Sequence, residues 1–260
     1  MVFAKTAVIF GVTGLSMVLF IPAALLCFAL SFFGLKKSMG FVVYKLAQAW
    51  AVMLVFLTGC SATVTGRENI PKKGGVCFVS NHVGIFDIIL ALAYAGRPFG
   101  FIAKKELVFV PGVNIWIFLL GGLFIDRRRP RNALKTINLG IGRLRAGSAM
   151  LIFPEGTRSR GRGLAPFHPG SLKLASQSGA VIVPLAITGS YDVFEKTRRV
   201  RAVPVNVSFL SPVNPAELAP QDRKQLLADR LHDDIARALK THILPGTGQE
   251  KPLREQAVRP

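Results

Sequence analysis

The chain has 260 residues, enough for one ordinary domain and an appendage. It is 50% hydrophobic with a mean hydropathy of +0.41, yet its formal net charge is +19 and its pI about 10.7. That pairing points to nucleic acid or an anionic membrane surface as partner; aromatic RNP segments and Cys/His zinc spacings are absent, which excludes the common nucleic-acid modules.

Residues 6–34 form an almost uncharged run of about 29 residues, longer than the roughly 20 needed to cross a bilayer. Pro22 sits near its middle, which predicts a kink or a helix–turn–helix. A second apolar run extends from Phe41 to Gly59, interrupted by Lys45 and Gln48. The first run is too long for the apolar core of a cleaved signal peptide. Lysines flank it on both sides (Lys5, then Lys36 and Lys37), so the charge rule gives no orientation. Residues 1–60 therefore read as membrane-anchoring helices. The three cysteines, Cys27, Cys60 and Cys77, are odd in number, lack a C-x-x-C pair and lie in apolar runs. They read as reduced, buried thiols, which suits a cytosolic side.

From residue 61 the pattern changes to short strands alternating with helices. Strands are predicted at 76–80, 99–103, 123–125, 149–153 and 181–188. Val203, Val205, Val207 and Phe209 alternate with Pro204, Asn206 and Ser208, which predicts a half-exposed strand near a sheet edge. A helix is expected over 86–94. Leu134, Ile137, Ile141 and Leu144 share one helical face, and Leu227, Leu231, Ile235 and Leu239 mark an amphipathic helix over about 221–243. The fold class is α/β, a mixed, mostly parallel sheet flanked by helices. The domain spans 61–245, and the polar tail 246–260 is expected to be disordered.

Asn81-His82-x4-Asp87 follows the 76–80 strand. Five positions along an ideal helix turn by about 500°, which leaves two side chains about 140° apart. His82 and Asp87 meet only if the histidine lies in the turn after the strand and the aspartate in the next helical turn. The carboxylate then fixes the imidazole tautomer and leaves the other nitrogen as a general base. A local cap is the competing explanation of the same pattern. No G-x-S-x-G nucleophile elbow is present, so the attacking group would belong to the substrate.

Two further stretches suit an anion. Arg127 follows the 123–125 strand, at the strand end where ligands of α/β sheets gather. Phe153-Pro154-Glu155-Gly156-Thr157-Arg158-Ser159 follows the 149–153 strand; Gly156 permits close backbone approach and Arg158 can grip a phosphate in bidentate fashion. Glu155 is open to three readings: a contact to a substrate hydroxyl, an orienter of an arginine, or a plain salt bridge. Lys104 follows another strand and could add a cation. Arg128, Arg129 and Arg131 read as a solvated loop.

Taken together these stretches resemble the glycerolipid acyltransferase family, bacterial 1-acylglycerol-3-phosphate acyltransferases in particular. Asn81-His82-x4-Asp87, Gly122-Leu123-Phe124-Ile125-Asp126-Arg127, Phe153–Ser159 and Val181-Ile182-Val183-Pro184-Leu185 match its four motifs in order, and the likeness covers about 60–215. The resemblance implies a membrane enzyme that moves an acyl chain from acyl carrier protein or coenzyme A to the sn-2 hydroxyl of lysophosphatidic acid. His82 and Asp87 are the implied catalytic pair, and Lys104, Arg127, Glu155, Gly156, Thr157 and Arg158 the implied substrate site. A backbone N–H near the first motif is expected to support the oxyanion. No metal or cofactor is implied. The implied location is the cell inner membrane or cytoplasmic membrane, with the catalytic domain on the cytosolic side and anionic lipids as partners. Two alternatives stay open: another acceptor (glycerol 3-phosphate, a lyso-ornithine lipid, another lysophospholipid), or a non-catalytic membrane-tethered basic protein.

Overall fold

Each strand expected from the sequence pairs into a single sheet in the computed structural model, which describes residues 2–33, 35–168, 170–217 and 225–243. The strands are β1 (Ser61–Thr65), β2 (Val76–Ser80), β3 (Gly100–Lys104), β4 (Leu123–Ile125), β5 (Ala149–Ile152), β6 (Val181–Thr188) and β7 (Pro204–Phe209). Their order across the sheet is β1-β7-β6-β2-β5-β3-β4. β6, β2, β5, β3 and β4 are mutually parallel, β7 runs against β6, and the edge strand β1 is parallel to β7. The sheet is therefore mixed and mostly parallel, as the residues imply.

Central β2 is buried along its whole length, as a parallel strand covered on both faces must be. Val76 and Phe78 face one apolar cluster, Cys77 and Val79 the other. The first cluster holds α3 (Lys36–Thr58), α4 (Phe86–Tyr94) and α5 (Val113–Leu119) through Tyr44, Ala51, Leu90 and Ile117. The second holds α6 (Pro130–Arg145), α7 (Lys173–Ser178) and α9 (Gln225–Ile243) through Leu144, Leu174, Leu231 and Ile235. Each fully buried side chain of this size contributes about 1.5–3 kcal/mol relative to exposure. Pro184 stands inside an interior strand, opposite Val79 of β2. It lies where β6 changes neighbour, between the Ile182–Val213 bridge and the Leu185–Phe209 pair, and its carbonyl accepts from Leu210 N.

The N-terminal segment folds as α1 (Val2–Leu19), α2 (Ile21–Leu30) and α3. Pro22 stands in the first turn of α2, where its missing N–H costs nothing. Residues Ala4–Phe33 and Ser38–Thr58 are long and apolar enough to cross a membrane by length and composition. They differ in surroundings: 6% of the first is buried and 33% of the second. α3 is also a core helix, since Tyr44 Oη donates to Leu92 O at 3.4 Å and Gln48 Nε2 to Ala93 O at 3.1 Å on α4.

Some expectations need amendment. Strand β1 and helices α5, α7 and α8 (Ser190–Val193) were not individually legible, being short and without sustained periodicity. Leu134, placed on a core-facing stripe, is 45% exposed, whereas Ile141 and Leu144 are buried. Periodicity shows which residues share a face, not how far a partner covers it. Residues 221–224 of the last helix and the tail 246–260 lie outside the described residues.

Candidate active site

The carboxyl ends of β2, β3, β4, β5 and β6 point to one edge of the sheet, and the motif residues follow directly from them. His82 lies in the turn after β2 and Asp87 in the first turn of α4, the arrangement that the five-residue spacing demands. His82 Nδ1 is 2.7 Å from Asp87 Oδ2. The same oxygen accepts Val83 N at 2.7 Å and Gly84 N at 3.0 Å. An oxygen gripped by two amide donors is an acceptor, so Nδ1 carries a proton, and in the neutral ring Nε2 is the nitrogen with the lone pair. Asp87 is fully buried while the His82 side chain is 18% exposed, so one partner is locked and the other reaches the site. The imidazole also stacks on Phe153, with ring centroids 4.0 Å apart and planes 18° from parallel. That fixes the ring plane from the end of β5.

The turn is braced from below and beside. Buried Asn81 donates Nδ2–H to Ile187 O at 2.8 Å and accepts Ile187 N on Oδ1 at 2.9 Å, tying the first motif to the end of β6. Ser159 N donates to His82 O at 2.7 Å and Arg160 N to Val83 O at 3.2 Å, tying it to the third.

Glu155 has a role that none of the three sequence readings described. It is 3% exposed, and its two oxygens accept His82 N at 2.6 Å and Ala165 N at 3.0 Å. It forms no ion pair among the described residues. Burial raises its pKa above the ordinary carboxylate value, against the pull of these two amide bonds. Both oxygens being occupied, the carboxylate acts on the backbone of the catalytic turn.

The acid that does hold an arginine is Glu195, between α8 and β7, which sequence reasoning missed. Its Oε1 accepts Arg158 Nη1 at 2.6 Å and its Oε2 accepts Ile85 N at 2.5 Å. Gly84 makes room for it, since a Cβ there would stand 2.5 Å from Glu195 Oε2. Four consecutive amides, 82 to 85, are thus bonded to three carboxylates: Glu155, Asp87 and Glu195. The amides of 82–85 are therefore already occupied, so the expected oxyanion donor near the first motif is left to another backbone N–H. The only sequence signal for Glu195 is an acid standing before the basic run Lys196-Thr197-Arg198-Arg199.

The remaining predicted residues sit around this turn. Gly156 adopts φ +74°, a left-handed conformation that glycine supplies without strain. A Cβ on it would lie 3.5 Å from Arg127 Nη1 and 3.4 Å from His168 Cδ2, so Arg127 and the unanticipated His168 approach the same backbone point. Thr157 is exposed on that turn. Lys104 ends β3 beside Ile125 of β4; its ammonium is exposed and 3.3 Å from Glu106. The structure therefore brings His82, Asp87, Glu155, Gly156, Arg127 and Arg158 into one cluster, with Lys104 at a neighbouring strand end.

Comparison with known proteins agrees in region and fold. Residues 61–188 match the family model described as Acyltransferase. The chain is 30% identical over 198 residues to the 1-acyl-sn-glycerol-3-phosphate acyltransferase of Borreliella burgdorferi, covering 76% of this chain and 79% of that one. It is 28% identical over 206 residues to the human 1-acyl-sn-glycerol-3-phosphate acyltransferase alpha, covering 78% and 72%. The crystal structure of the 1-acyl-sn-glycerophosphate (LPA) acyltransferase PlsC from Thermotoga maritima superposes with a TM-score of 0.80 at 24% identity, over 95% of this chain and all of that one.

Proposed function

The chain belongs to the family of 1-acyl-sn-glycerol-3-phosphate acyltransferases, and from that premise we propose that it transfers an acyl group from a thioester to the sn-2 hydroxyl of lysophosphatidic acid, releasing phosphatidic acid. The observation that carries the reading is the 2.7 Å contact between His82 Nδ1 and buried Asp87, which leaves Nε2 as the base. Nε2 takes the proton of the acceptor hydroxyl as its oxygen attacks the thioester carbonyl. The tetrahedral intermediate collapses, the C–S bond breaks, and the leaving thiolate recovers the proton from Nε2. Asp87 stabilises the imidazolium in between. Arg158 and Arg127 receive the acceptor's phosphate at the strand ends, Lys104 adds a third cation, and Gly156 and Thr157 form the turn against which the glycerol lies.

The lipid nature of acceptor and product accounts for the N-terminal segment. Residues 1–60 anchor the domain in the cell inner membrane, with the site on its cytosolic face and lysines and arginines on the anionic headgroups. The domain contributes apolar surface of its own beside the anchor. Phe118 is 57% exposed and meets Phe28 of α2 edge-on at 5.3 Å, and Trp116 Nε1 donates to Met17 O of α1 at 3.2 Å. The basic surface also suits an acidic acyl carrier protein as donor; coenzyme A thioesters are the other candidate.

The test crosses lysophosphatidic acid, glycerol 3-phosphate and other lysophospholipids with acyl carrier protein and coenzyme A thioesters, reading phosphatidic acid formation. Turnover on lysophosphatidic acid is expected, and His82→Ala should abolish it while vesicle binding persists. Absence of turnover on that acceptor, or a His82→Ala variant as active as the parent, overturns the reading.

A further inference from the structure

Glu195 belongs to none of the four motifs, yet it touches two of them. Its side chain is 16% exposed and bridges Arg158 Nη1 (2.6 Å) to Ile85 N (2.5 Å), residues 37 and 110 positions away along the chain. The segment that carries it is held on both sides. Lys196 N returns to Tyr191 O at 3.2 Å, and a Cβ on Gly84 or Gly161 would press on Tyr191 at 3.2 Å. On the far side Phe194 packs against Phe10 of α1 with ring centroids 4.8 Å apart, and Val200 N donates to Thr6 Oγ1 at 3.0 Å. A carboxylate so fixed does not travel with the arginine it binds.

We propose that Glu195 is a positioning residue for the acceptor's phosphate: it holds the Arg158 guanidinium in register with the turn that carries His82. The proposal rests on the acyl-transfer reading above. A guanidinium offers five N–H donors in a planar fork. One donor on Glu195 restrains where the guanidinium sits and leaves the rest of the fork for an anion. The other carboxylate oxygen, on Ile85 N, refers that position to the backbone three residues after His82. Phosphate and acceptor hydroxyl are thereby held at a set spacing relative to Nε2. A free arginine would have to be ordered by each incoming acceptor, at a cost in affinity.

The experiment uses the full chain in mixed micelles with Glu195→Ala, Glu195→Gln, Arg158→Ala and the double variant. Glu195→Ala is expected to raise KM for lysophosphatidic acid about tenfold, with kcat and the donor KM moved by less than about threefold. Glu195→Gln keeps an acceptor oxygen and should recover part of that loss. In the Arg158→Ala background Glu195→Ala should add no further weakening, because the residue acts through the arginine. A lowered acceptor KM in Glu195→Ala would show a competitor for Arg158 and overturn the proposal. So would losses in kcat and both KM values that add fully to those of Arg158→Ala, the pattern of a merely structural residue. Calorimetric binding of lysophosphatidic acid to the same four variants reads the coupling without turnover. It decides for or against Glu195 even if the wild type fails to transfer an acyl group to that lipid, an outcome that overturns the reading of function instead.

Discussion

The two halves of the site are built differently. Around His82 the polar atoms are closely bonded: Asp87 Oδ2 accepts three bonds, Glu155 two, and the ring is stacked on Phe153. Around the cations, Lys104 is exposed, Thr157 is exposed, and Arg158 bonds Glu195 while its side chain remains 33% exposed. A proton-transfer group must be held to within a fraction of an ångström, and burial with three bonds on Asp87 Oδ2 restrains the ring, although Asp87 Oδ1 is buried without a partner among the described residues. Under the proposed function, cations that stay near water suit a charged headgroup that must enter and leave.

The comparison can be broken most sharply at Asp87. Asp87→Asn removes the charge proposed to stabilise the imidazolium and replaces one carboxylate oxygen by an NH2 donor. Acyl transfer should fall roughly 10²- to 10⁴-fold in kcat with the acceptor KM little changed, read by thiol release. An equal loss expressed in KM would mean that this half also binds. Arg158→Ala should show the opposite signature: acceptor KM rises roughly 10- to 100-fold, the size of a lost charge-assisted bond, with kcat less affected. An unchanged acceptor KM would remove Arg158 from the phosphate site.

The smallest effect concerns stability. Glu155 has a folded-state pKa raised by burial, so the folded chain holds its proton more tightly than the unfolded one. Its favourable contribution is present at acidic pH and is lost as pH rises through the raised value. Glu155→Gln lacks that titration. The melting temperature of the wild type relative to Glu155→Gln should therefore increase as pH is lowered from neutrality, and a difference independent of pH would contradict the burial argument.

Most of the catalytic half was legible because its residues lie close together in the chain. The five-residue spacing of His82 and Asp87 excludes a shared helix face and requires a turn, and the structure has that turn between β2 and α4. Glu155 was legible as a motif residue but not in its role, since its bonds run to His82 and Ala165, and His82 is 73 positions away. The packing of α3 on α4 was hidden for a related reason: an apolar helix that enters a membrane and one that enters a core share the same composition.

What the sequence determined by itself was local. It marked the six strands whose apolar runs or alternation are strong, two long apolar runs before residue 60, and the four motifs that identify the family. The tertiary structure alone decided the strand order β1-β7-β6-β2-β5-β3-β4, the filling of amides 82–85 by three carboxylates, and the place of Glu195. The physical reason is range. Backbone preference and side-chain periodicity act over a few residues, whereas a partly buried carboxylate finds its donors wherever the packed sheet brings them, here across 110 positions of chain.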